Sequence, residues 1–161
     1  MKSVLQLIVA FGVLIASAAH AEPAAIFKAL EGKWSAKGNA FSPDAKAKMT
    51  WSESFAGKFY RLDYRIDMTM NGKPQNFEGV GHYQLADGDK VHGYWADSTG
   101  DLHPITAEVS AKAIVAHWGK AGAKQGRSEY RLNDDGTVVV TDSLLTADGW
   151  RQFNQATFKK N

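Results

Sequence analysis

The chain of 161 residues contains no cysteine. Disulfides, thiol chemistry, cysteine-bound zinc and a lipid anchor on an N-terminal cysteine are therefore excluded. The chain also lacks a strong charge of either sign, because 19 basic residues face 17 acidic ones and no internal stretch concentrates the positive charge. This distribution indicates an ordinary mixed surface, so we expect no nucleic-acid partner.

Only one long apolar run is present, over 4–16, and it directly follows a basic start. Ala19 and Ala21 then place small residues at the two positions that a signal peptidase reads. We predict a signal peptide over 1–21, too short for a membrane span, and a mature domain over 22–161. A retained N-terminal anchor helix is the alternative. Cleavage implies a periplasmic or secreted protein without stable membrane insertion.

Beyond residue 32, apolar and polar residues alternate in short stretches separated by turn signals. From Tyr60 to Met70 every even position is apolar and every odd position is polar, which places the apolar side chains on one face of a strand. Asn71-Gly72 then suits the positive φ angles of a tight hairpin. The same reasoning predicts ten strands, at 33–40, 47–56, 59–70, 74–85, 91–98, 102–109, 113–118, 127–132, 137–145 and 150–159.

Residues 23–31 are the one good helix candidate, with Pro23 in the first turn, several alanines and Gly32 directly after the helix. Almost all connections between the predicted strands are of hairpin length. This favours an up-and-down antiparallel β-barrel over a sandwich. We therefore predict an all-β fold, a barrel of about ten strands with a short N-terminal helix that covers one end. Such a barrel can enclose one small ligand.

Three short segments resemble a known family. Residues 30–34 (LEGKW) resemble the opening of calycin-type barrels, in which a glycine and a tryptophan start the first strand. Residues 93–100 (GYWADSTG) resemble the central motif of a bacterial calycin-like family of exported proteins, and 148–150 (DGW) fits its closing hairpin. The resemblance implies a lipocalin-like or fatty-acid-binding-like cavity and no catalytic residue. Its haem-binding relatives use a late histidine, which this chain lacks after His117, so we expect no haem and no other cofactor.

Two acidic residues are candidates for binding a ligand. Trp51, Glu53 and Phe55 share the apolar and therefore inward-facing parity of one strand. A carboxylate in that position needs a partner, a ligand or a raised pKa, unless it reaches water at the barrel end or a bulge changes the parity. Asp97 is in phase with Trp95 just before a turn. It is either a polar anchor at the mouth of the cavity or the acceptor of an Asx turn.

The histidines His82, His92, His103 and His117 lack the spacing of metal ligands, and no metal site is predicted. The parity of His82 relative to His92 stays open. The five tryptophans either line a cavity or fill a small barrel.

The function predicted from these residues is non-catalytic binding of a small hydrophobic or amphipathic molecule inside the barrel. Trp51, Tyr64 and Trp95 would form the wall, and Glu53 and Asp97 would orient the polar end of the ligand. Two alternatives remain open at this point. One is an enzyme on the same barrel that uses Glu53 as general acid or base. The other is an envelope protein with a filled barrel that acts through its surface. Ligand identity and oligomeric state do not follow from the sequence.

Overall fold

The computed structural model describes residues 23–39, 42–85 and 90–161. The predicted signal peptide lies outside this range. The described residues form one helix, α1, at Pro23–Leu30, followed by ten strands that close into a barrel. The strands are β1 (Gly32–Lys37), β2 (Lys46–Ser54), β3 (Phe59–Met70), β4 (Lys73–Gln84), β5 (Lys90–Asp97), β6 (Leu102–Val109), β7 (Ala113–Gly119), β8 (Gln125–Leu132), β9 (Val138–Thr146) and β10 (Gly149–Lys160).

Every strand pairs antiparallel with its neighbours in sequence, and β1 pairs with β10 to close the barrel. The predicted up-and-down topology is therefore confirmed. All ten predicted strands are present, and the ends of β3 and β6 lie where the alternation placed them. Most connections between consecutive strands are two to five residues long, and such a short connection leaves a strand no partner except the next one.

The helix α1 covers one end of the barrel, which we call the closed end. Its apolar stripe, Ile26, Phe27 and Leu30, is fully buried. The indole N–H of Trp34 donates to the carbonyl of Leu30 at 2.7 Å and fixes the helix to the start of β1. The ring of Phe27 lies 5.1 to 5.8 Å from three others, those of Trp51, Tyr60 and Tyr83.

The interior is filled less completely toward the opposite end of the barrel. In β3 the inward-facing Tyr60, Leu62, Tyr64 and Ile66 are buried, as the alternation predicts, whereas Met70 at the far end is 38% exposed. Within the described range no helix is long and apolar enough to cross a bilayer.

Candidate functional site

A cavity of about 370 Å³ occupies the barrel on the side away from α1. Its floor is formed by Tyr83 and Tyr130, whose rings each lie 5.3 Å from the ring of Trp51 beneath them. The wall is mostly apolar and aromatic. Toward the hairpin turns the lining includes the exposed residues Met70, Thr99 and Lys124, and we call this end the mouth. The lining also includes Tyr64, Phe77, Trp95, His103, Ala116, Trp118, Ser128, Asp142, Leu144 and Asn154.

Two tryptophan–glycine pairs keep large rings against the wall of the cavity. A Cβ atom on Gly79 of β4 would lie 2.0 Å from the ring of Trp95 of β5. A Cβ atom on Gly126 of β8 would likewise lie 2.0 Å from the ring of Trp118 of β7. Each indole therefore lies on bare backbone of the neighbouring strand. Because glycine makes this close approach possible, the rings follow the wall and leave the lumen open.

Asp142 is the acidic group inside the cavity. Its Oδ1 accepts a hydrogen bond from Ser128 Oγ at 2.6 Å, and its Oδ2 accepts one from Asn154 Nδ2 at 2.8 Å. It lines the cavity and is only half-buried by accessible surface, so one side of the carboxyl faces the lumen. Burial raises the pKa of Asp142 above its ordinary value, and the two hydrogen bonds offset only part of that rise.

A β-bulge in β10 brings Asn154 to this carboxyl. The pairing of β10 with β9 shifts between Gln152 and Asn154, which leaves Phe153 as an extra residue. Phe153 and Asn154 are consecutive, yet both line the cavity. Regular alternation would have turned one of the two outward, so the bulge supplies an additional side chain to the lumen.

Two buried polar atoms next to Asp142 have no hydrogen-bond partner among the described residues: Tyr64 Oη and Asn154 Oδ1. Tyr64 is 8% exposed and Asn154 is 1% exposed. Asn154 is near enough to offset part of the pKa rise that burial causes at Tyr64, but the two groups lack hydrogen-bonding geometry. Burial also raises the pKa values of Tyr83 and Tyr130, so all three phenols stay neutral.

Asp97 lies at the mouth and holds the turn after β5. Its carboxylate accepts hydrogen bonds from the Trp95 indole N–H at 3.0 Å and from the Thr99 backbone N–H at 2.9 Å and hydroxyl at 2.6 Å. Burial alone would raise the pKa of Asp97, but these hydrogen bonds outweigh it and the pKa falls below its ordinary value. The two interpretations of Asp97 are therefore compatible, because this Asx-turn residue also lines the cavity.

A second polar group at the mouth is centred on Asp101. Its Oδ2 lies 3.1 Å from Lys124 Nζ and 3.4 Å from His103 Nε2. The His103 ring stacks on Trp118 with centroids 5.2 Å apart, and Lys124 Nζ lies 5.9 Å from the centroid of the Trp118 ring. Among the described lining residues Lys124 is the one lysine or arginine, and it belongs to the mouth, where Asp101 is its acidic partner.

Three of the five residues predicted to bind the ligand, Tyr64, Trp95 and Asp97, line the cavity together. Trp51 does not. It is 1% exposed and lies in the aromatic layer beneath the floor, between Phe27 and the floor tyrosines. Trp51 therefore supports the cavity from below and is not part of its wall.

The prediction that Glu53 points into the cavity is wrong. Glu53 is exposed at the closed end and is absent from the cavity lining. β2 ends at Ser54, and the positive φ angles of Phe55 and Ala56 turn the chain away directly afterwards. Glu53 thus has the inward parity, but it lies at the edge of the barrel, where its carboxylate reaches water.

The open question of the histidine pair is resolved by the register. His82 pairs with Tyr94, and His92 lies two residues before Tyr94 on the same strand. Since Trp95 faces the cavity, Tyr94 and both histidines lie on the outer face. Within the described ranges no group of three or more histidine or acidic side chains could hold a metal ion.

Asp142 and Asn154 were not predicted from the sequence. Asp142 shares the parity of Val138, Val140 and Leu144, which is the same signal that singled out Glu53. That pattern could have identified Asp142. Asn154 carried no comparable signal, because its neighbour Phe153 is the apolar residue and the bulge is not visible in the alternation.

No known protein family matches the chain, and no curated protein does either. Among solved structures, the crystal structure of Rv2717c from M. tuberculosis is similar, with a TM-score of 0.62 and 15% sequence identity. The match covers 88% of this chain and 99% of the other. At this identity the likeness shows the fold, an antiparallel β-barrel of ten strands, and nothing about the ligand.

Proposed function

We propose that this protein is an exported, calycin-like barrel that binds one small hydrophobic or amphipathic molecule and does not catalyse a reaction. The observation that supports the proposal is the cavity of about 370 Å³. Its size falls at the lower end of small-molecule sites, and its composition is typical of them, with apolar and aromatic walls and a few polar groups.

The arrangement of the polar groups agrees with an amphipathic ligand. The body of the ligand would lie between Trp95, Phe77 and Trp118. Its polar end would meet Asp142 and Asn154, which take the role predicted for Glu53 from the sequence. Asp97 would remain at the mouth, where its hydrogen bonds hold the turn in place.

The alternatives have less support. General acid–base catalysis needs the group within reach of an enclosed substrate. Glu53 lies outside the cavity and is exposed, so no observation on the described residues favours the enzyme that uses it. An envelope protein that acts only through its surface would not need an open lumen. The tryptophan–glycine pairs keep the lumen open, which favours a ligand-binding barrel over this alternative.

A neutral fluorescent probe, N-phenyl-1-naphthylamine, tests the proposal, because its emission rises when it leaves water for an apolar site. We expect saturable binding of one probe per wild-type chain. Ala116 lines the cavity and is 1% exposed, so Ala116→Phe should fill the lumen and lower affinity at least about tenfold.

The matched control is Ala96→Phe, which adds the same ring outside the barrel, because Ala96 lies between the cavity-lining Trp95 and Asp97. This variant should bind the probe like wild type. Thermal denaturation of both variants confirms that each is folded. Absence of saturable probe binding to wild type, or an equal loss in both variants, would refute a ligand-binding lumen.

A further inference from the structure

The acceptors around Asp142 outnumber the donors that remain free. Each oxygen of the Asp142 carboxylate accepts one hydrogen bond and has a second lone pair. Asn154 Oδ1 is a buried acceptor without a partner. The free donors near them are the hydroxyl of Tyr64 and the second N–H of Asn154 Nδ2. A ligand group that donates several hydrogen bonds therefore complements this part of the cavity, and a group that only accepts does not.

The charge of the site points in the same direction. Asp142 forms no ion pair with a described residue, and no cationic side chain acts on its pKa. Lys124 lies at the mouth, just before β8 and four residues before Ser128. It is also engaged with Asp101 at the mouth. A carboxylate enclosed in a mostly apolar cavity without a cation is unfavourable, and a cationic ligand would offset the cost of its desolvation.

The surroundings of Asp142 suit a cation with an apolar body. Three neutral phenols lie near the Asp142 carboxylate, and its negative charge contributes to the raised pKa of each. They are Tyr64, Tyr83 and Tyr130. The rings of the wall add their negative faces, which attract an ammonium group within about 6 Å of a ring centroid. A carboxylate ligand in the same place would meet a like charge and a set of acceptors.

On the basis of the proposed ligand-binding function, we propose that the cavity selects amphipathic primary amines, with the ammonium group donating to Asp142 and to Asn154 Oδ1. The hydrocarbon body then extends along Trp95 and Phe77 toward the mouth. Fatty acids of the same length bind more weakly in this arrangement, and the alcohol is intermediate because its single hydroxyl carries no charge.

Displacement of N-phenyl-1-naphthylamine by three ligands of equal chain length tests this selection. The ligands are decylamine, decan-1-ol and decanoate, and the amine is protonated at pH 7 as a lysine side chain is. We expect decylamine to bind about tenfold to a hundredfold more tightly than decanoate, the range of one charge-assisted hydrogen bond. In Asp142→Asn the advantage of the amine over the alcohol should disappear while the alcohol binds as before.

Glu53→Gln is the matched control, because it removes a carboxylate of the same parity that lies outside the cavity. It should leave the order amine, alcohol, acid unchanged. If Asp142→Asn does not fold, the order of the three affinities in wild type still decides. Probe binding with equal or reversed affinities of amine and acid would overturn the selection and leave the proposed function standing. Absence of probe binding would refute the proposed function itself.

Discussion

The two ends of the barrel use aromatic side chains in opposite ways. At the closed end Phe27, Trp51, Tyr60 and Tyr83 pack directly on one another beneath α1. Toward the mouth, large rings lie against glycines of the neighbouring strands. The same residue type thus fills one end and lines the other. What differs is the partner: a second ring at the closed end and bare backbone near the mouth.

The two ends also differ in the surroundings of their acidic residues with inward parity. Glu53 belongs to the closed end and is exposed, whereas Asp142 belongs to the cavity and is held by Ser128 and Asn154. Parity gives the face of the sheet but not the depth along the barrel. Depth decides whether a carboxylate reaches water or needs a partner.

The largest effect is expected at Phe27. Phe27→Ala removes a fully buried ring from the closed end and should lower the free energy of unfolding by about 3–5 kcal/mol, the usual cost of such a cavity. Phe77 is half-buried and lines the lumen, so Phe77→Ala should cost about 1 kcal/mol. Urea denaturation measures both. Equal losses would mean that the two ends are packed alike.

A smaller effect is expected where a glycine supports a ring. In Gly79→Ala the new methyl group meets the Trp95 ring, which must move into the lumen, and overpacking of this kind costs about 1–3 kcal/mol. Probe binding should weaken and the tryptophan emission should shift. Gly81→Ala is a graded control, since its nearest neighbour atom would lie at 3.0 Å. If Gly79→Ala binds the probe normally, the contact between Gly79 and Trp95 is not what keeps the lumen open.

The smallest effect concerns the two carboxylates. Because the pKa of Asp142 is raised in the folded state, protonation favours folding, and stability falls as pH rises above the ordinary carboxyl pKa of about 4. Asp142→Asn should therefore raise the free energy of unfolding at pH 7 by about 1 kcal/mol, the lower end of the cost of desolvating a polar group.

Urea denaturation at two pH values checks this expectation. The gain in Asp142→Asn should vanish at about pH 3, below the ordinary carboxyl pKa, where the carboxyl is mostly protonated in both states. Glu53→Gln, on an exposed carboxylate, should stay within about 0.5 kcal/mol of wild type at either pH. A loss of stability in Asp142→Asn at pH 7 would show that the hydrogen bonds from Ser128 and Asn154 outweigh the cost of burial.

The strands were predictable from sequence because alternation and turn signals are local. The even positions of β3 and the turn at Asn71-Gly72 illustrate this, since each needs only its neighbours in the chain. The helix at 23–31 was predictable for the same reason, and the structure confirms it over 23–30. Closure by β1 and β10 followed from a meander of about ten strands.

The cavity was only partly predictable. Tyr64, Trp95 and Asp97 were placed together by parity alone. Whether Trp95 fills or lines the lumen depends on Gly79, which lies on the neighbouring strand β4. The contact between Trp95 and Gly79 cannot be predicted from the sequence pattern of either strand alone. The bulge at Phe153 similarly requires the partner strand β9, so Asn154 could not be assigned to the interior from β10 by itself.

Both ends of the described chain lie at the closed end of the barrel. β1 begins directly after α1, and Lys160 at the end of β10 pairs with Trp34, whose indole is bonded to that helix. A tag, a linker or a solid support joined at either end therefore holds the barrel by its base. An immobilised layer of this protein would present its mouths to the solution in a common orientation, which is the geometry that a surface-based sensor for small molecules requires.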